Sequence, residues 1–353
     1  MLTASSTLLA IHSGLSYWSD YFYPDERPRR PGYSTGWIAE RLYGILAQRG
    51  AVDYWDYAER PVGATADVFV GHFWAFADLC RANDFDRKIA VYVLSDPVRA
   101  ATLLREAAES YGVPFPDWDL PPEHFDHEST MELADTVILV GNRTTLATFD
   151  TRWHSKIKLV NYAPGLNGRR RAATANRRSE FVYSAATCGL RKGFLDVIDT
   201  WKSIPAGTTQ LHVVGRIDEP YRGLLAASGE PAVTLYGWIP SASKRYRDLL
   251  ESCRYAYIPT WVEGQMGTVL EAIDAGCVPI TTRASGVDDR VLEHCIVVEP
   301  GQPEQHRSEI AKMLNWTEAE FRERQAALSE CMERLHTWTG FDERVKKVVW
   351  NDN

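Results

Sequence analysis

Residues 255–271 read YAYIPTWVEGQMGTVLE. The first part is an apolar run typical of a buried strand, and Gly264 and Gly267 then bracket a turn before a helical pattern that ends at Gly276. Glycines let a backbone approach a ligand, and a helix N-terminus beside them favours an anion such as a diphosphate. The stretch therefore predicts a strand, a ligand-binding loop and a helix, in that order.

Two carboxylates flank the predicted anion site. Glu263 lies before the helix and Glu271 lies inside it, with seven residues between them. Carboxylates accept hydrogen bonds from hydroxyl groups, and a nucleotide sugar offers sugar hydroxyls, a diphosphate and ribose hydroxyls in sequence. The residues alone leave an alternative open, in which one glutamate caps the helix and the other is an ordinary helical residue.

Strand-like runs alternate with helical patterns along the whole chain. In the first half the predicted strands are Leu8–Ser13, Val52–Tyr57, Val68–His72, Lys88–Leu94, Thr136–Gly141 and Lys156–Tyr162. In the second half they are Phe181–Ala185, Gln210–Gly215, Val233–Tyr236, Tyr255–Pro259, Val278–Thr282 and Ile296–Glu299. Alternating β and α with apolar strands indicates parallel sheets, and two series divided near residue 165 indicate two Rossmann-like domains.

Bulk composition limits the classes of function. The chain has 353 residues, a net charge of −8 and no apolar run long enough for a transmembrane helix. The charge argues against general affinity for nucleic acid, and we expect no stable membrane insertion. One basic stretch, residues 169–171 with Arg177 and Arg178, is either a solvated linker or a phosphate or membrane-surface contact.

Cysteine and histidine usage gives two further expectations. The six cysteines are scattered with no Cys-x-x-Cys pair, and the N-terminus lacks the basic region of a signal peptide. We therefore expect reduced thiols and a cytoplasmic location. Because His and Cys do not cluster at ligand spacing in the sequence, we expect no zinc site.

The second half resembles a known family. Residues 263–271, followed by an Ala-Gly-Cys-Val-Pro-Ile segment at 275–280, resemble the E-x7-E signature of retaining GT-B glycosyltransferases of the family 4 type. Residues 237–240 resemble the family's nucleobase loop, and residues 191–193 its lysine-glycine pair beside the diphosphate. The resemblance covers about residues 180–335 well and the first half weakly.

The resemblance implies a role for each residue of the donor site. Glu263 would bind hydroxyls of the transferred sugar, Glu271 the ribose, and Lys192 the diphosphate as it leaves. The remaining implied donor-site residues are Gly237, Trp238 and Ile239 for the base, Gly264 in the donor-binding loop, the backbone of Gln265, Met266 and Gly267 for the sugar, and the backbone of Thr268 and Val269 for the phosphates.

One position departs from the family pattern. The family usually has an arginine about five residues before the lysine, where this chain has Ala186 and Thr187. Arg191 either supplies that second positive charge or points to solvent.

The first half offers candidates for acceptor binding and catalysis. His72 ends a predicted apolar strand, so it either faces the cleft and bonds sugar or acceptor hydroxyls, or is structural. The next strand ends at Ser95 and Asp96, in the place where many relatives have a histidine. Asp96 is either an acceptor base or part of a turn that starts a helix.

Aromatic residues are frequent in the first half. The loop after the first predicted strand holds Tyr17, Trp18 and Tyr33, and Ser34 and Trp74 lie near the same predicted cleft. Aromatic faces suit sugar rings or an apolar aglycone, and ordinary packing explains them as well.

Together, these features imply a GT-B fold with a central cleft. The expected parts are an acceptor domain (1–164), a donor domain (165–337) and a helix crossing back to the first domain (338–353). The reaction would move a sugar from a nucleoside-diphosphate sugar to an acceptor hydroxyl with retention and without a metal or other cofactor. Two alternatives stay open: a phosphorylase or sugar-phosphate synthase on the same fold, and a catalytically silent sugar-nucleotide-binding protein.

Overall fold

The protein is an α/β protein with two parallel sheets. The computed structural model describes residues 6–11, 34–56, 60–115, 126–164, 177–217, 219–227 and 232–350. Within these ranges the strands form two six-stranded sheets, and the strand pairs are parallel. Parallel neighbours need a crossover connection, usually a helix, which explains the alternation seen in the sequence. The predicted α/β class is confirmed.

The first sheet belongs to the N-terminal half. Its strands are β1 (Ser6–Ile11), β2 (Ala51–Asp56), β3 (Thr65–His72), β4 (Asp84–Tyr92), β5 (Thr136–Val140) and β6 (Ile157–Val160). They lie in the order β2-β1-β3-β4-β5-β6. The order changes direction between β1 and β3, and such switch points are where open α/β sheets bind ligands, at the carboxyl ends of the strands.

Five helices accompany the first sheet in the described residues. They are α1 (Ser34–Leu46), α2 (Phe73–Ala82), α3 (Pro97–Tyr111), α4 (His127–Leu133) and α5 (Arg143–Leu146). No helical pattern in the sequence predicted α2 or α4. Helix α2 follows β3 without a connecting turn, and its N-cap residue His72 makes no capping bond, so the usual start signals are missing.

The second sheet has the Rossmann strand order. Its strands are β7 (Arg178–Cys188), β8 (Leu211–Ile217), β9 (Val233–Leu235), β10 (Cys253–Ile258), β11 (Val278–Thr281) and β12 (Ile296–Val297). Their order is β12-β11-β10-β7-β8-β9, which changes direction between β7 and β10. The loops that leave β7 and β10 therefore meet at the switch point of this sheet.

Seven helices accompany the second sheet in the part of the chain that the structure describes. They are α6 (Phe194–Trp201), α7 (Glu219–Ala227), α8 (Lys244–Ser252), α9 (Gly267–Asp274), α10 (Asp289–Leu292), α11 (Pro303–Leu314) and α12 (Glu318–Leu335). Helices α7 and α10 were not predicted, and α10 is only four residues long. None of the described helices has the length and apolarity of a membrane-spanning segment.

The chain then returns to the first sheet. Helix α13 (Trp338–Trp350) follows α12 and buries Phe341, Val345 and Val349. Its Asp342 pairs with Arg41 of α1 at 3.0 Å. The carbonyl oxygen of Val349 accepts a hydrogen bond of 2.7 Å from Arg87 of β4. The last described helix thus belongs to the packing of the N-terminal half.

Burial agrees with the apolar character of the strands. Residues 137–140 of β5 are buried without alternation, which requires cover on both faces of the sheet. All six cysteines are buried and none forms a disulfide, as the scattered spacing predicted.

Candidate donor site at the switch point of the second sheet

The loops after β7 and β10 are bonded to each other at the switch point. The carbonyl oxygen of Arg191 accepts hydrogen bonds from the backbone N–H of Trp261 at 3.0 Å and from the Thr260 hydroxyl at 2.8 Å. These bonds bring the Arg191-Lys192 pair beside the loop that carries Glu263. The sequence placed the two motifs 72 positions apart. The fold makes them one site.

Glu263 forms an ion triad with both cations. Its Oε1 accepts a hydrogen bond of 2.6 Å from Arg191 and is also paired with the ammonium group of Lys192. Burial alone would raise the pKa of Glu263, but Arg191 and Lys192 outweigh it and hold the pKa below its ordinary value. The carboxylate therefore stays ionised at neutral pH. Arg191 faces this carboxylate, so the expectation that it points to solvent is wrong.

Glu271 lies in an environment of the opposite kind. It is buried in α9, where Oε2 accepts a hydrogen bond of 2.9 Å from the Tyr246 hydroxyl, which is itself 2.9 Å from the Ser184 hydroxyl. Burial raises the pKa of Glu271 to about 7, and neighbouring Asp274 adds to the shift while Tyr246 opposes it. The two glutamates of one motif thus have pKa values displaced in opposite directions.

The N-terminus of α9 lies between the two carboxylates. Its N-cap residue Met266 provides no side-chain cap, and the Thr268 hydroxyl is buried without a hydrogen-bond partner among the described residues. Unsatisfied N–H groups and the helix dipole make such an end favourable for an anion. The predicted phosphate position is therefore consistent with the geometry.

Two residues of the same loop are engaged in bonds within the protein. The Gln265 side chain accepts a hydrogen bond of 2.8 Å from the Tyr162 N–H and donates to Asn161, both in the N-terminal half. The backbone N–H of Met266 donates to the carbonyl oxygen of Ser285 at 2.8 Å. Of the backbone N–H groups predicted to hold the sugar, that of Met266 is occupied.

The predicted nucleobase loop follows β9. Gly237 has a φ of 67°, in the left-handed region that favours glycine, and its carbonyl oxygen accepts a hydrogen bond from Gly215 at 2.9 Å. The Trp238 side chain that follows is 52% exposed, whereas Ile239 is buried. An indole face held open on a fixed turn can stack on a planar base.

His72 lies at the carboxyl end of β3, at the switch point of the first sheet. It is buried, with its ring 4.4 Å from the ring of Phe73. Burial lowers the pKa of His72 to about 3, so the imidazole is neutral at physiological pH. Trp74, in the first turn of α2, is half-buried.

Ser95 and Asp96 make structural bonds. The Ser95 hydroxyl donates to the carbonyl oxygen of Glu263 at 2.8 Å, which joins the two halves of the protein. Asp96 caps α3 by accepting a bond of 2.9 Å from the Arg99 N–H, and its other oxygen lies 2.7 Å from His127 Nε2. This pattern fits the alternative in which Asp96 starts a helix.

Several predicted residues cannot be placed. Tyr17, Trp18 and Tyr33 lie outside the described residues, as do residues 169–171. Ser34 begins α1, but its side chain lies outside the described part.

One group of side chains in the described residues has metal-ligand spacing. Glu180, His212 and Cys253 place ligand atoms within 4.8 Å of one another, at the amino ends of β7, β8 and β10. Arg178 pairs with Glu180 at 3.0 Å, and burial raises the pKa of the Cys253 thiol to about 11. The Arg178 guanidinium group occupies Glu180 and repels a cation at this place. The group also lies at the opposite end of the strands from Glu263.

The acidic pair of the Asp-x-Asp type that the structure describes is similarly remote. Asp84 and Asp86 form one such sequence at the amino end of β4. A second, at residues 117–119, lies outside the described residues. The described pair does not face the loop after β10.

Three residues beside the site were missed by the sequence analysis. Tyr246 holds Glu271, as described above. Asp196 of α6 is fully buried and accepts bonds from the Trp261 indole N–H at 2.5 Å and the Gly301 N–H at 2.6 Å. Arg216 at the end of β8 donates to the Thr187 hydroxyl at 3.1 Å. Each lies within a predicted helix or near a strand end, and no local signal distinguishes it there.

Comparison with known proteins agrees with this geometry. Residues 179–315 match the profile of the family described as glycosyl transferases group 1. No curated sequence matches the chain significantly.

Solved structures share the fold over the whole chain. A sucrose-phosphate synthase from Thermosynechococcus elongatus is similar with a TM-score of 0.69 and 15% identity, over 98% of each chain. WaaG, a glycosyltransferase involved in lipopolysaccharide biosynthesis, has a TM-score of 0.62 and 12% identity, over 98% of this chain and 99% of its own. A UDP-forming trehalose-phosphate synthase from Burkholderia xenovorans has a TM-score of 0.57 and 12% identity, over 80% of this chain and 73% of its own. Residues 179–315 thus match the glycosyl transferases group 1 family, and the chain has the GT-B fold of two Rossmann-like domains.

Proposed function

We propose that this glycosyltransferase moves a sugar from a nucleoside-diphosphate sugar to an acceptor hydroxyl with retention of configuration. The observation that carries the proposal is the pair of carboxylates at the second switch point. Glu263 is ionised and pairs with two cations, whereas Glu271 is buried beside a tyrosine hydroxyl. Between them lies the N-terminus of α9. The order of groups fits sugar, diphosphate and ribose.

The diphosphate would lie against positive charge. Arg191, Lys192 and Glu263 together carry one net positive charge, since two cations share one carboxylate. The N–H groups of α9 and the Thr268 hydroxyl add donors that need no rearrangement during reaction. As the bond between the anomeric carbon and the diphosphate oxygen breaks, these groups stabilise the charge that develops on the leaving group.

Glu271 would hold the ribose. Tyr246 bonds one carboxylate oxygen and leaves the other to accept from ribose hydroxyls. The exposed Trp238 would stack on the base.

His72 would act as a neutral hydrogen-bonding group near the reacting carbon. Because burial lowers the pKa of His72, its ring can donate to or accept from a sugar hydroxyl without introducing a charge. Side-chain cations fill the electrostatic role that a metal has in other transferases, so we also propose that transfer proceeds in the presence of EDTA.

The acceptor is either a sugar phosphate or a sugar or glycan without a phosphate group. Two of the similar structures are sugar-phosphate synthases, one of them in complex with glucose-6-phosphate. An acceptor panel must therefore contain sugar phosphates beside simple sugars and glycan acceptors. Phosphorolysis, the other alternative on this fold, is tested with inorganic phosphate as acceptor.

The first experiment identifies the donor and tests for transfer. Thermal-shift screening of UDP-, GDP-, dTDP- and ADP-sugars selects the donor, because a ligand that binds the folded state raises the melting temperature. The selected donor is then incubated with the acceptor panel, and release of nucleoside diphosphate is measured. Binding without acceptor-dependent release would contradict the enzyme proposal and favour a catalytically silent sugar-nucleotide-binding protein.

The second experiment tests the two carboxylates. Glu271→Ala should weaken nucleotide binding, because the ribose contact is lost, whereas Glu263→Ala should mainly lower the rate of sugar transfer. Glu330→Ala, an exposed glutamate on α12, is the matched control and should change neither. Wild-type kinetics in both site variants would overturn the assignment of the donor site.

A further inference from the structure

We infer that Arg216 is an additional donor-binding residue, which contacts the diphosphate from the neighbouring strand. The inference rests on the proposed function and extends it to a residue that the E-x7-E motif does not contain. Arg216 lies in β8 next to the switch-point strand β7, near the carboxyl ends of both strands. Its guanidinium donates to the Thr187 hydroxyl at 3.1 Å.

The hydrogen bond between Arg216 and Thr187 matters because of where Thr187 lies in the family pattern. The sequence has Ala186 and Thr187 where the family resemblance implies an arginine beside the diphosphate. Arg216 is the register partner of Thr187 in the β7–β8 ladder. The guanidinium group of Arg216 in β8 therefore lies where β7 lacks the arginine that the family resemblance implies.

A β-bulge creates the juxtaposition. The ladder pairs Ser184 with Val214 and then Thr187 with Arg216, so β7 has two residues where β8 has Gly215 alone. Bulges re-aim side chains and are frequent beside active sites. Gly215 has a φ of 142°, and a Cβ there would lie 2.7 Å from the Cys188 sulfur, so the close approach of the two strands requires glycine.

Charge balance calls for another cation at this edge. A diphosphate diester carries two negative charges, whereas the triad of Arg191, Lys192 and Glu263 has a net charge of only +1. The Arg216 side chain is exposed at the rim of the same edge. An arginine matches phosphate oxygens with a planar fork of donors, and the Thr187 hydroxyl fixes the orientation of that fork.

The test is calorimetric binding of nucleoside diphosphate and of the matching monophosphate. The nucleotide is the one among UDP, GDP, dTDP and ADP that gives the largest thermal shift with the wild-type protein. Arg216→Gln should weaken diphosphate binding by about tenfold, the loss of one charge-assisted contact, and monophosphate binding by much less. Arg216→Lys should recover part of the affinity, because it keeps the charge but loses the fork.

The Thr187→Val variant tests the hydrogen bond that orients the Arg216 guanidinium group, and Arg334→Gln is the control. Thr187→Val should weaken diphosphate binding by about threefold, less than Arg216→Gln, since the cation stays but its direction is no longer fixed. Arg334 is an exposed arginine of α12, and its replacement should leave both affinities unchanged.

Three results would overturn the inference. They are an unchanged diphosphate affinity in Arg216→Gln, an equal loss for the mono- and diphosphate, and an equal loss in Arg334→Gln. If Arg216→Gln does not fold, Arg216→Lys and Thr187→Val give the same comparison with the charge retained. Failure of the proposed function has a different signature: the wild-type protein then either binds none of the four diphosphates, or binds one of them but releases no nucleoside diphosphate when donor and acceptor are supplied, whatever the affinities of the Arg216 variants.

Discussion

The carboxyl ends of the two sheets both carry polar groups but use them differently. In the second sheet, the Glu263 carboxylate and its two cations converge at the switch point. In the first sheet, Ser95 bonds across to the Glu263 carbonyl, and Asp96 caps a helix and pairs with His127. Glu263 brings opposite charges together, whereas Ser95 and Asp96 make supporting bonds, as Gln265 also does at the edge of the second sheet.

This contrast shows what a strand-end position can establish. The topology of parallel sheets brings residues after each strand to one edge, so proximity to the cleft is predictable. Availability for chemistry depends on which bonds the side chain has already made. Ser95 and Glu263 are both near the cleft, yet the serine hydroxyl supports the backbone from which the carboxylate projects.

The largest effect on stability and transfer is expected when a side chain is added at Gly264, where the carboxyl edges of the two sheets meet. A Cβ at Gly264 would lie 2.7 Å from the Leu94 N and closer still to the Val93 carbonyl, so a backbone would have to move. Gly264→Ala should destabilise the protein by about 3 kcal/mol, the upper range for overpacking, and abolish transfer. Thermal unfolding and product formation measure the two effects.

Gly44→Ala is the control for this substitution. Gly44 lies inside α1 and an added Cβ would meet nothing within 4 Å. Because alanine is the better helix former, this variant should be more stable by about 0.5 to 1 kcal/mol. Normal stability and transfer in Gly264→Ala would show that the two edges do not meet at this glycine.

The second prediction concerns the pH dependence of stability due to Glu271. Its pKa is about 7 in the folded protein against an ordinary value of 4.5. Because the folded value is raised, the stabilising contribution is present below about pH 4.5 and is lost as the pH rises through about 7. As the pH rises across this window, the free energy of unfolding of the wild-type protein should fall by about 3 kcal/mol relative to that of Glu271→Gln.

Urea unfolding of both proteins between about pH 5 and 8 tests this dependence. The difference between wild type and Glu271→Gln removes the contribution of other carboxylates that titrate in both. A difference that stays constant with pH would mean that Glu271 does not titrate in this range, and the contrast with Glu263 would then disappear.

The third prediction concerns Asp196, which fixes the loop before Glu263. Asparagine has one carbonyl oxygen for the two N–H donors of Trp261 and Gly301, so one donor would face an amide NH2 group. Asp196→Asn should destabilise the protein by about 2 kcal/mol and lower the transfer rate. Asp199→Asn, on the same helix and half-exposed, should do neither.

Measurement of kcat and nucleotide affinity separates positioning from binding in Asp196→Asn. A lower kcat with an unchanged nucleotide affinity is expected, because the displaced loop carries the sugar-binding end of the site. A loss confined to nucleotide affinity would contradict the prediction, because Asp196 would then act on nucleotide binding and not on the loop before Glu263.

The smallest effect is expected for Asp96→Asn. Asparagine caps helices about as well as aspartate, so the main loss is the pair with His127. Stability should fall by about 1 kcal/mol or less, and transfer should stay within about threefold of the wild type. A fall in transfer of a hundredfold or more with unchanged stability would instead identify Asp96 as an acceptor base.

The sequence allowed most of the fold to be predicted, because strand patterns and their alternation are local. Strand β11 was predicted to within one residue, and β5 likewise. Helix α2 was missed since no turn or cap separates it from β3. Some boundaries moved by three or four residues: β7 runs to Cys188 rather than ending at Ala185, where a bulge extends the ladder, and β4 begins at Asp84 rather than Lys88.

The donor site was predictable only where residues are adjacent in the sequence. The segment from Glu263 to Glu271 forms a compact motif and was found directly. The partners of those glutamates come from other elements, as Tyr246 lies 25 positions before Glu271. Arg216 could not be found because its partner Thr187 depends on the register of two strands. Sequence spacing contains no information on such register.

Helix α13 has a consequence for how the protein is made. The N-terminal half emerges from the ribosome first, and domains generally fold as they emerge. Here the first half contains a helix whose Phe341, Val345 and Val349 are buried, and whose residues are synthesised only after the whole second sheet. The nascent first half therefore lacks part of its hydrophobic cover until late in translation. Complete packing of the first half therefore depends on synthesis of the donor half.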